Sequence, residues 1–253
     1  LIRSFSLVLT LTCISAASVR ADFIDVNLSG NTSYDGWDTF NSTAYPNYGG
    51  YPGTTVWPAP IGSSMAGSGD AALSKIGGSG YPSTSTGQNY IYSTRSGAAA
   101  ASTDPSVVVG TFGLGDASPV ADLETVVFQL RISYWTSLGQ PFPTGVMPTI
   151  SYNNGTQALP ATLSTLVDSG PFSSTYGDGI ADDWAFQWDL SGIQEPITSF
   201  QVNYSVTNHA QQYEMRLDQS DAFAAVVPEP GSIGLVAMAT FALAVCRRRA
   251  GAR

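Results

Sequence analysis

The stretch YGDGIADDW, residues 176–184, sets three carboxylates, Asp178, Asp182 and Asp183, around a glycine. Hard carboxylate oxygens on a sharp turn are what a calcium ion takes, and Gly179 permits such a turn. The same residues also suit a plain Asp-Gly bend leading into a strand at Trp184. Both readings stand open, and no other cofactor is implied. Glycoside hydrolysis asks only for two carboxylates roughly 5–10 Å apart. Glu124, Glu195, Glu214 and the aspartates offer many such pairs, and no spacing singles one out. The one histidine, His209, falls in VTNHAQQY between two expected strands. A triad needs its nucleophile on a shaped elbow, and GSSMAG (62–67) lacks Gly-x-Ser-x-Gly spacing. One histidine and two cysteines are too few for a zinc site. Tyr45, Tyr48, Tyr51, Trp57, Tyr81 and Tyr90 lie among glycines and prolines. Aromatic faces with polar edges suit sugars. The alternative is that these rings pin long loops to a sheet.

The elements that must position these groups are strands. Residues 27–105 are punctuated by Gly and Pro every few positions, which excludes long helices. The interleaved aromatics distinguish the region from disorder, so long ordered loops with short strands are expected. AALSKI (71–76) is read as one helical turn, and SVVVGTF (106–112) as a short strand. ETVVFQLRISYW (124–135) alternates most cleanly, with Val126, Phe128, Leu130, Ile132 and Tyr134 on one face. Side chains alternate across a strand, so that face is core, and the Val127, Gln129, Arg131, Ser133 face meets water. MPTISYNNGTQAL (147–159) reads as a hairpin turning at Asn154-Gly155. DWAFQWDL (183–190) and SFQVNYSV (199–206) alternate again, the second with Phe200, Val202, Tyr204 and Val206 inward. QYEMRLDQ (212–219) puts Tyr213, Met215 and Leu217 inward. One-face alternation means antiparallel sheets. The expected fold is all-β, a two-sheet antiparallel sandwich of jelly-roll type with long Gly/Ser/Tyr/Pro-rich loops.

Composition narrows the function classes. The first 21 residues carry Arg3, an apolar run from Phe5 to Ile14, and a small-x-small Val19-Arg20-Ala21 site, the pattern of a cleaved secretory signal. Cys13 and Cys246 both lie in the terminal segments, so residues 22–225 have no cysteine for a disulfide or thiolate site. Between Asp22 and Asp221 stand four basic residues, Lys75, Arg95, Arg131 and Arg216, against eighteen acidic ones, a net of −14. That charge repels phosphate backbones and argues against nucleic acid. About 200 residues make one large β-domain with an ample core.

The last segment, residues 226–253, runs Val227-Pro228-Glu229-Pro230-Gly231-Ser232, then apolar residues Ile233–Cys246, then Arg247-Arg248-Arg249. A helix of that apolar length is about 21 Å long, short of the roughly 30 Å hydrocarbon core. The arginines belong on the cytoplasmic side. Pro228 and Pro230 cannot join the helix, because proline lacks the amide donor. This segment resembles the PEP-CTERM sorting signal of bacterial exported proteins, which combines Pro-Glu-Pro, a hydrophobic transmembrane helix and a short basic tail. The resemblance implies signal peptidase and an exosortase as processing partners. It also implies transient inner-membrane insertion, with release to the cell surface or the exopolysaccharide matrix. A plain single-span anchor is the alternative. Separately, YGDGIADDW resembles the Asp-rich calcium loops of dockerin, EF-hand and thrombospondin-type repeats. It departs from them where Ser174, Tyr176 and Ala185 replace ligands. The whole chain is read as a non-enzymatic exported protein, structural or adhesive, contacting carbohydrate. The rival reading is a secreted polysaccharide hydrolase using paired carboxylates.

Overall fold

The computed structural model describes residues 23–227, apart from 25, 85, 86, 175 and 176. The loop-rich half supplies five strands: β1 (Thr32–Trp37), β2 (Ile61–Gly62), β3 (Ala72–Gly78), β4 (Tyr81–Pro82) and β5 (Ile91–Ser93). The middle supplies β6 (Gly110–Asp116), β7 (Thr125–Trp135), β8 (Thr149–Tyr152) and β9 (Leu159–Pro160). The long strands β10 (Leu163–Ser174), β11 (Gly177–Asp189), β12 (Phe200–Val206) and β13 (Ala210–Ser220) complete the chain. They form a sandwich of two antiparallel sheets. The seven-stranded sheet runs β10-β11-β7-β13-β5-β4, with β1 also paired to β13. The six-stranded sheet runs β2-β3-β6-β12-β8-β9.

The alternation of the sequence becomes the space between the sheets. Val126, Phe128, Leu130 and Ile132 of β7 are fully buried, as are Val202 and Val206 of β12 and Met215 and Leu217 of β13. Aromatic rings join the layers. Phe112 stacks on Tyr204 within the six-stranded sheet, with ring centroids 5.5 Å apart, and Tyr204 meets Phe128 of the other sheet at 5.3 Å. Such pairs add about 0.5–1.5 kcal/mol each beyond their burial.

Several local expectations are corrected. Residues 72–78 form strand β3 rather than a helical turn, because Leu73 pairs with Leu114 of β6 and is fully buried. Tertiary pairing overrides a weak local preference. The strand expected over 106–112 begins only at Gly110. Asp104 captures the Ser106 N–H at 2.9 Å and bends the chain there. The β8–β9 hairpin turns one residue early. Asn153 and Asn154 both adopt positive φ, 52° and 55°, and Gly155 N–H donates to the Tyr152 carbonyl at 2.9 Å. Two left-handed residues are what a twisted hairpin turn requires, and asparagine tolerates them. Tyr213 points outward, not inward. A bulge between Gln212 and Glu214 shifts the register, so Gln212 faces the core and accepts from the Tyr204 hydroxyl at 2.6 Å. A bulge sets two residues against one and re-aims the side chains beyond it.

The largest correction concerns the second face of β7. Val127, Gln129 and Ser133 are buried, not wet. Ile24, Val26, Leu28, Val226 and Val227 pack with Val127 and Ala185 in a second small core. Gln187, fully buried on β11, fastens this cover. Its amide donates to the Ala224 carbonyl at 2.6 Å and accepts the N–H groups of Val226 and Val227 at 2.9 and 3.1 Å. Packing therefore runs through Val227, two residues into the segment that the sequence assigns to the sorting signal.

At one edge of the sandwich, Asp35 of β1 is 1% exposed, and its Oδ2 is buried with no hydrogen-bond partner among the described residues. Burial pushes its carboxyl up to about 6 against the pull of the Ala71 N–H, and the charges of Asp116 and Asp70 add to the rise. A folded-state value above the unfolded one means that the folded protein holds the proton more tightly. Stability is then lost as pH rises from about 4 through about 6. Asp35→Asn is expected to stabilise the fold at pH 8 by on the order of 2 kcal/mol and to change it little at pH 4. Urea unfolding at the two pH values checks this. An equal effect at both would show that the Asp35 carboxyl is not the titrating group.

Candidate functional site

The two outer faces differ. On the seven-stranded sheet, beyond the covered region, Arg131 of β7 binds Asp183 of β11 at 2.8 Å and Glu214 of β13 at 3.0 Å, beneath the ring of Phe23. On the six-stranded sheet the outward residues of the central strands are Thr111, Gly113 and Gly115 of β6 and Gln201, Asn203 and Ser205 of β12. None is charged, and among the described residues no comparable cover lies over them. Here a groove of about 610 Å³ opens, within the size range of small-ligand clefts. Gln201 and Asn203 form its floor, Ser151 and the β8–β9 loop one wall, and Ile76 and Ala117 the other.

The floor is held in place by its own hydrogen bonds. The Gln201 amide donates to the Asn203 carbonyl at 2.5 Å, and the Asn203 amide reaches Ser151 Oγ at 3.5 Å. Glycine at 113 leaves room for these side chains: a Cβ there would lie 2.5 Å from Gln201 Nε2 and 2.9 Å from Ile76 Cδ1, so both tips would have to move. The glycine lets the amide lie flat across β6. Ile76, 52% exposed, gives the rim an apolar edge. Among the described residues the one ionisable group on the groove, Asp116, is 4% exposed and turned inward. It accepts from the Ser118 N–H at 2.8 Å and from the Gln219 amide at 2.5 Å.

The calcium candidates stand in extended β11, not in a loop. Asp182 and Asp183 are adjacent and so point to opposite faces. Asp182 accepts from Ser169 at 2.7 Å and Trp184 at 3.3 Å on the core side, while Asp183 is held by Arg131. Asp182 also hydrogen-bonds Tyr134. The Tyr134 hydroxyl is held well above its ordinary range by burial first, then by that carboxylate's charge and the hydrogen bond. Asp178 is the second residue of β11, four residues from Asp182, or roughly 13 Å along a strand. Among the described residues no group of three or more His, Cys, Asp or Glu side chains is placed to hold a metal.

Of the glutamates, Glu214 is tied to Arg131. Glu124 and Glu195 share a smaller cleft of about 320 Å³ with Asp122, and its described lining includes no aromatic ring or histidine. Glu124 accepts the Phe223 N–H at 3.1 Å. His209 occupies the β12–β13 turn with φ 59°, its ring stacked on Trp135 at 3.7 Å and bonded to the Tyr92 hydroxyl. Trp57 and Tyr81 are 7% exposed, and Tyr45–Tyr48–Trp57–Phe112 make a chain of ring contacts into the core, so these rings pin loops. Tyr90 is half-buried against Tyr92 and Tyr213, and Tyr51 is exposed. Pro228, Glu229, Pro230, Arg247, Arg248 and Arg249 lie outside the described residues. Sequence reasoning overlooked the groove. Its one signal was the uncharged polar series Gln201, Asn203, Ser205 alternating with core residues.

What the fold defines is a two-sheet antiparallel β-sandwich with one open, uncharged polar face. The chain matches no protein-family model, no curated protein and no solved structure.

Because the three aspartates are separated by strand geometry and two are bound by protein partners, chelation is expected to leave the thermal midpoint of the purified protein unchanged. Scanning calorimetry with and without a calcium chelator checks this. A midpoint several degrees lower in chelator would restore a structural calcium site.

Proposed function

We propose that this protein is exported, sorted through its C-terminal segment, and placed at the cell surface or in the extracellular matrix, where the sandwich contacts exopolysaccharide without cutting it. The observation that carries the contact is the open face of the six-stranded sheet, a preorganised cradle of amides, hydroxyls and glycine backbone. Amide and hydroxyl groups both donate and accept, as sugar hydroxyls do. The chemistry of the face favours binding over hydrolysis. Its one described carboxylate is buried and occupied by two donors, whereas glycosidases need a pair flanking the bond. In this reading the sandwich is wired as a jelly roll. Repeated crossing of the chain between sheets, from β5 to β6, β6 to β7 and β11 to β12, supports that wiring.

Delivery rests on the resemblance of residues 226–253 to the PEP-CTERM signal. Signal peptidase removes the leader, the hydrophobic helix inserts in the inner membrane, and an exosortase acts at Pro228-Glu229-Pro230. Arg247, Arg248 and Arg249 stop transfer. The strongly acidic domain stays soluble once released.

The test follows the protein in its native host. The parent chain should appear at reduced mass in the surface or matrix fraction and sediment with isolated exopolysaccharide without releasing reducing ends. Glu229→Ala should remain full length in the membrane fraction. Unchanged processing of the variant would remove the sorting claim, and released reducing ends would favour the hydrolase reading.

A further inference from the structure

We infer that the groove on the six-stranded sheet is selective for a neutral polysaccharide strand, one built of unsubstituted hexoses rather than uronates or sulfated sugars. This rests on the proposed polysaccharide contact and goes further by fixing the site and the charge class of the ligand.

Three observations carry it. The first is charge. An anionic glycan needs cations, and none of the four basic residues of the domain lines the groove. The Lys75 ammonium is spent on the carbonyls of Gly53, at 2.6 Å, and Thr55. Arg131 and Arg216 stand on the other sheet, with carboxylates at 2.8 Å each. Arg95 follows strand β5 of that sheet, its N–H donating to Asn208 at 2.9 Å. A net of −14 repels any polyanion before it arrives. A cationic glycan is not matched either, because the one described carboxylate on the groove is turned inward.

The second is hydrogen-bonding character. Each of Gln201, Asn203 and Gln157 carries both an acceptor oxygen and two N–H donors. Gln201 and Asn203 already fix one another at 2.5 Å, so little side-chain freedom is lost on binding. All three residues line the groove. A neutral hydroxyl, which donates and accepts, satisfies both kinds of group, whereas a carboxylate only accepts.

The third is shape. Gly115 leaves a site over the floor where a Cβ would meet nothing closer than 3.8 Å, so a ligand can approach the β6 backbone. Exposed Ile76 on the rim offers an apolar contact for the C–H edge of a sugar ring. Polar floor and apolar rim together make an amphipathic lining.

Affinity electrophoresis of the purified exported protein tests the inference, with gels containing a neutral galactomannan, a neutral mixed-linkage glucan or a polyuronate. At least one neutral polymer should retard the parent, and the polyuronate should not. Gln201→Ala and Asn203→Ala should each weaken retardation about five- to tenfold, the worth of one or two hydrogen bonds. Gly115→Val, a strand-compatible residue that fills the open site, should abolish it. Thermal midpoints of the three variants, compared with the parent, separate lost binding from lost fold, and the milder Gly115→Ala keeps the test open if the valine variant does not fold. Retardation by the polyuronate that weakens in Gln201→Ala would overturn the charge selectivity and leave polysaccharide contact standing. Neutral binding indifferent to every folded variant would overturn the groove as the site. No retardation by any polymer would remove both the inference and the reading beneath it.

Discussion

The structure depends on the contact between Tyr204 and Phe128 across the gap between the sheets. Phe112 backs Tyr204 on one side, and Phe186 stacks beside Phe128 on the other, with ring centroids 6.1 Å apart. A domain without cysteine has no covalent tie between its layers, so burial must hold them. The Tyr204 hydroxyl is a polar group deep in this core. Burial holds it well above its ordinary range, and it is satisfied by Gln212 at 2.6 Å. That bond requires Gln212 to face inward, and the bulge in β13 is what turns it there. The same bulge sends Tyr213 outward to Ser133 at 3.0 Å. One buried hydroxyl thus fixes the register of a central strand and the identity of a surface residue.

With the inner faces joined, the outer faces decide what the molecule can do. Most of the outer face of β7 and β11 is covered by the chain's own flanking segments, fastened by the buried amide of Gln187. A buried amide with both ends engaged is costly to unmake, since each unpaired group forfeits about 1–3 kcal/mol. The cover accounts for the buried glutamines and serines on a sheet face that alternation alone would leave wet. Among the described residues the six-stranded sheet has no such cover, and the outer face of its central strands is uncharged, where that of β7 and β11 carries Arg131 and Asp183 beside its glutamines. The proposed division of labour is between a covered sheet that stabilises and an open sheet that binds.

Much of this was legible in the sequence. Phe200, Val202, Tyr204 and Val206 read as one inward face because a strand has period two, and Gln201 and Asn203 between them are the groove floor. The cover was not legible, since Ile24, Val26 and Val226 lie about a hundred or more residues from Val127, and no local period reports such a meeting. The YGDGIADDW stretch left two readings open for a related reason. Its spacing fits a loop, but strong pairing of β11 with β7 and β10 holds it extended, and alternation then parts the aspartates. The turn at Asn153-Asn154 was missed by one residue because Asn-Gly is the better turn pair in isolation, and the hydrogen bond to Tyr152 decides otherwise. Among the described residues the one aromatic lining the groove, Phe200, is 3% exposed, so the groove has no exposed ring of the kind by which sugar contact is usually sought. Of the sequence's six candidate rings, Trp57 and Tyr81 are buried and Tyr45 and Tyr48 link to Trp57.

The central claim is that contact chemistry lies on the open sheet and not on the covered one. Side-chain amide NMR reads both at once, because each sheet carries glutamine or asparagine side chains at its centre. On titration with a neutral oligosaccharide, the amide signals of Gln201 and Asn203 should shift in a saturable way, while those of Gln129 and Gln187 stay fixed. Shifts confined to Gln129 and Gln187, or equal on both sheets, would contradict the account.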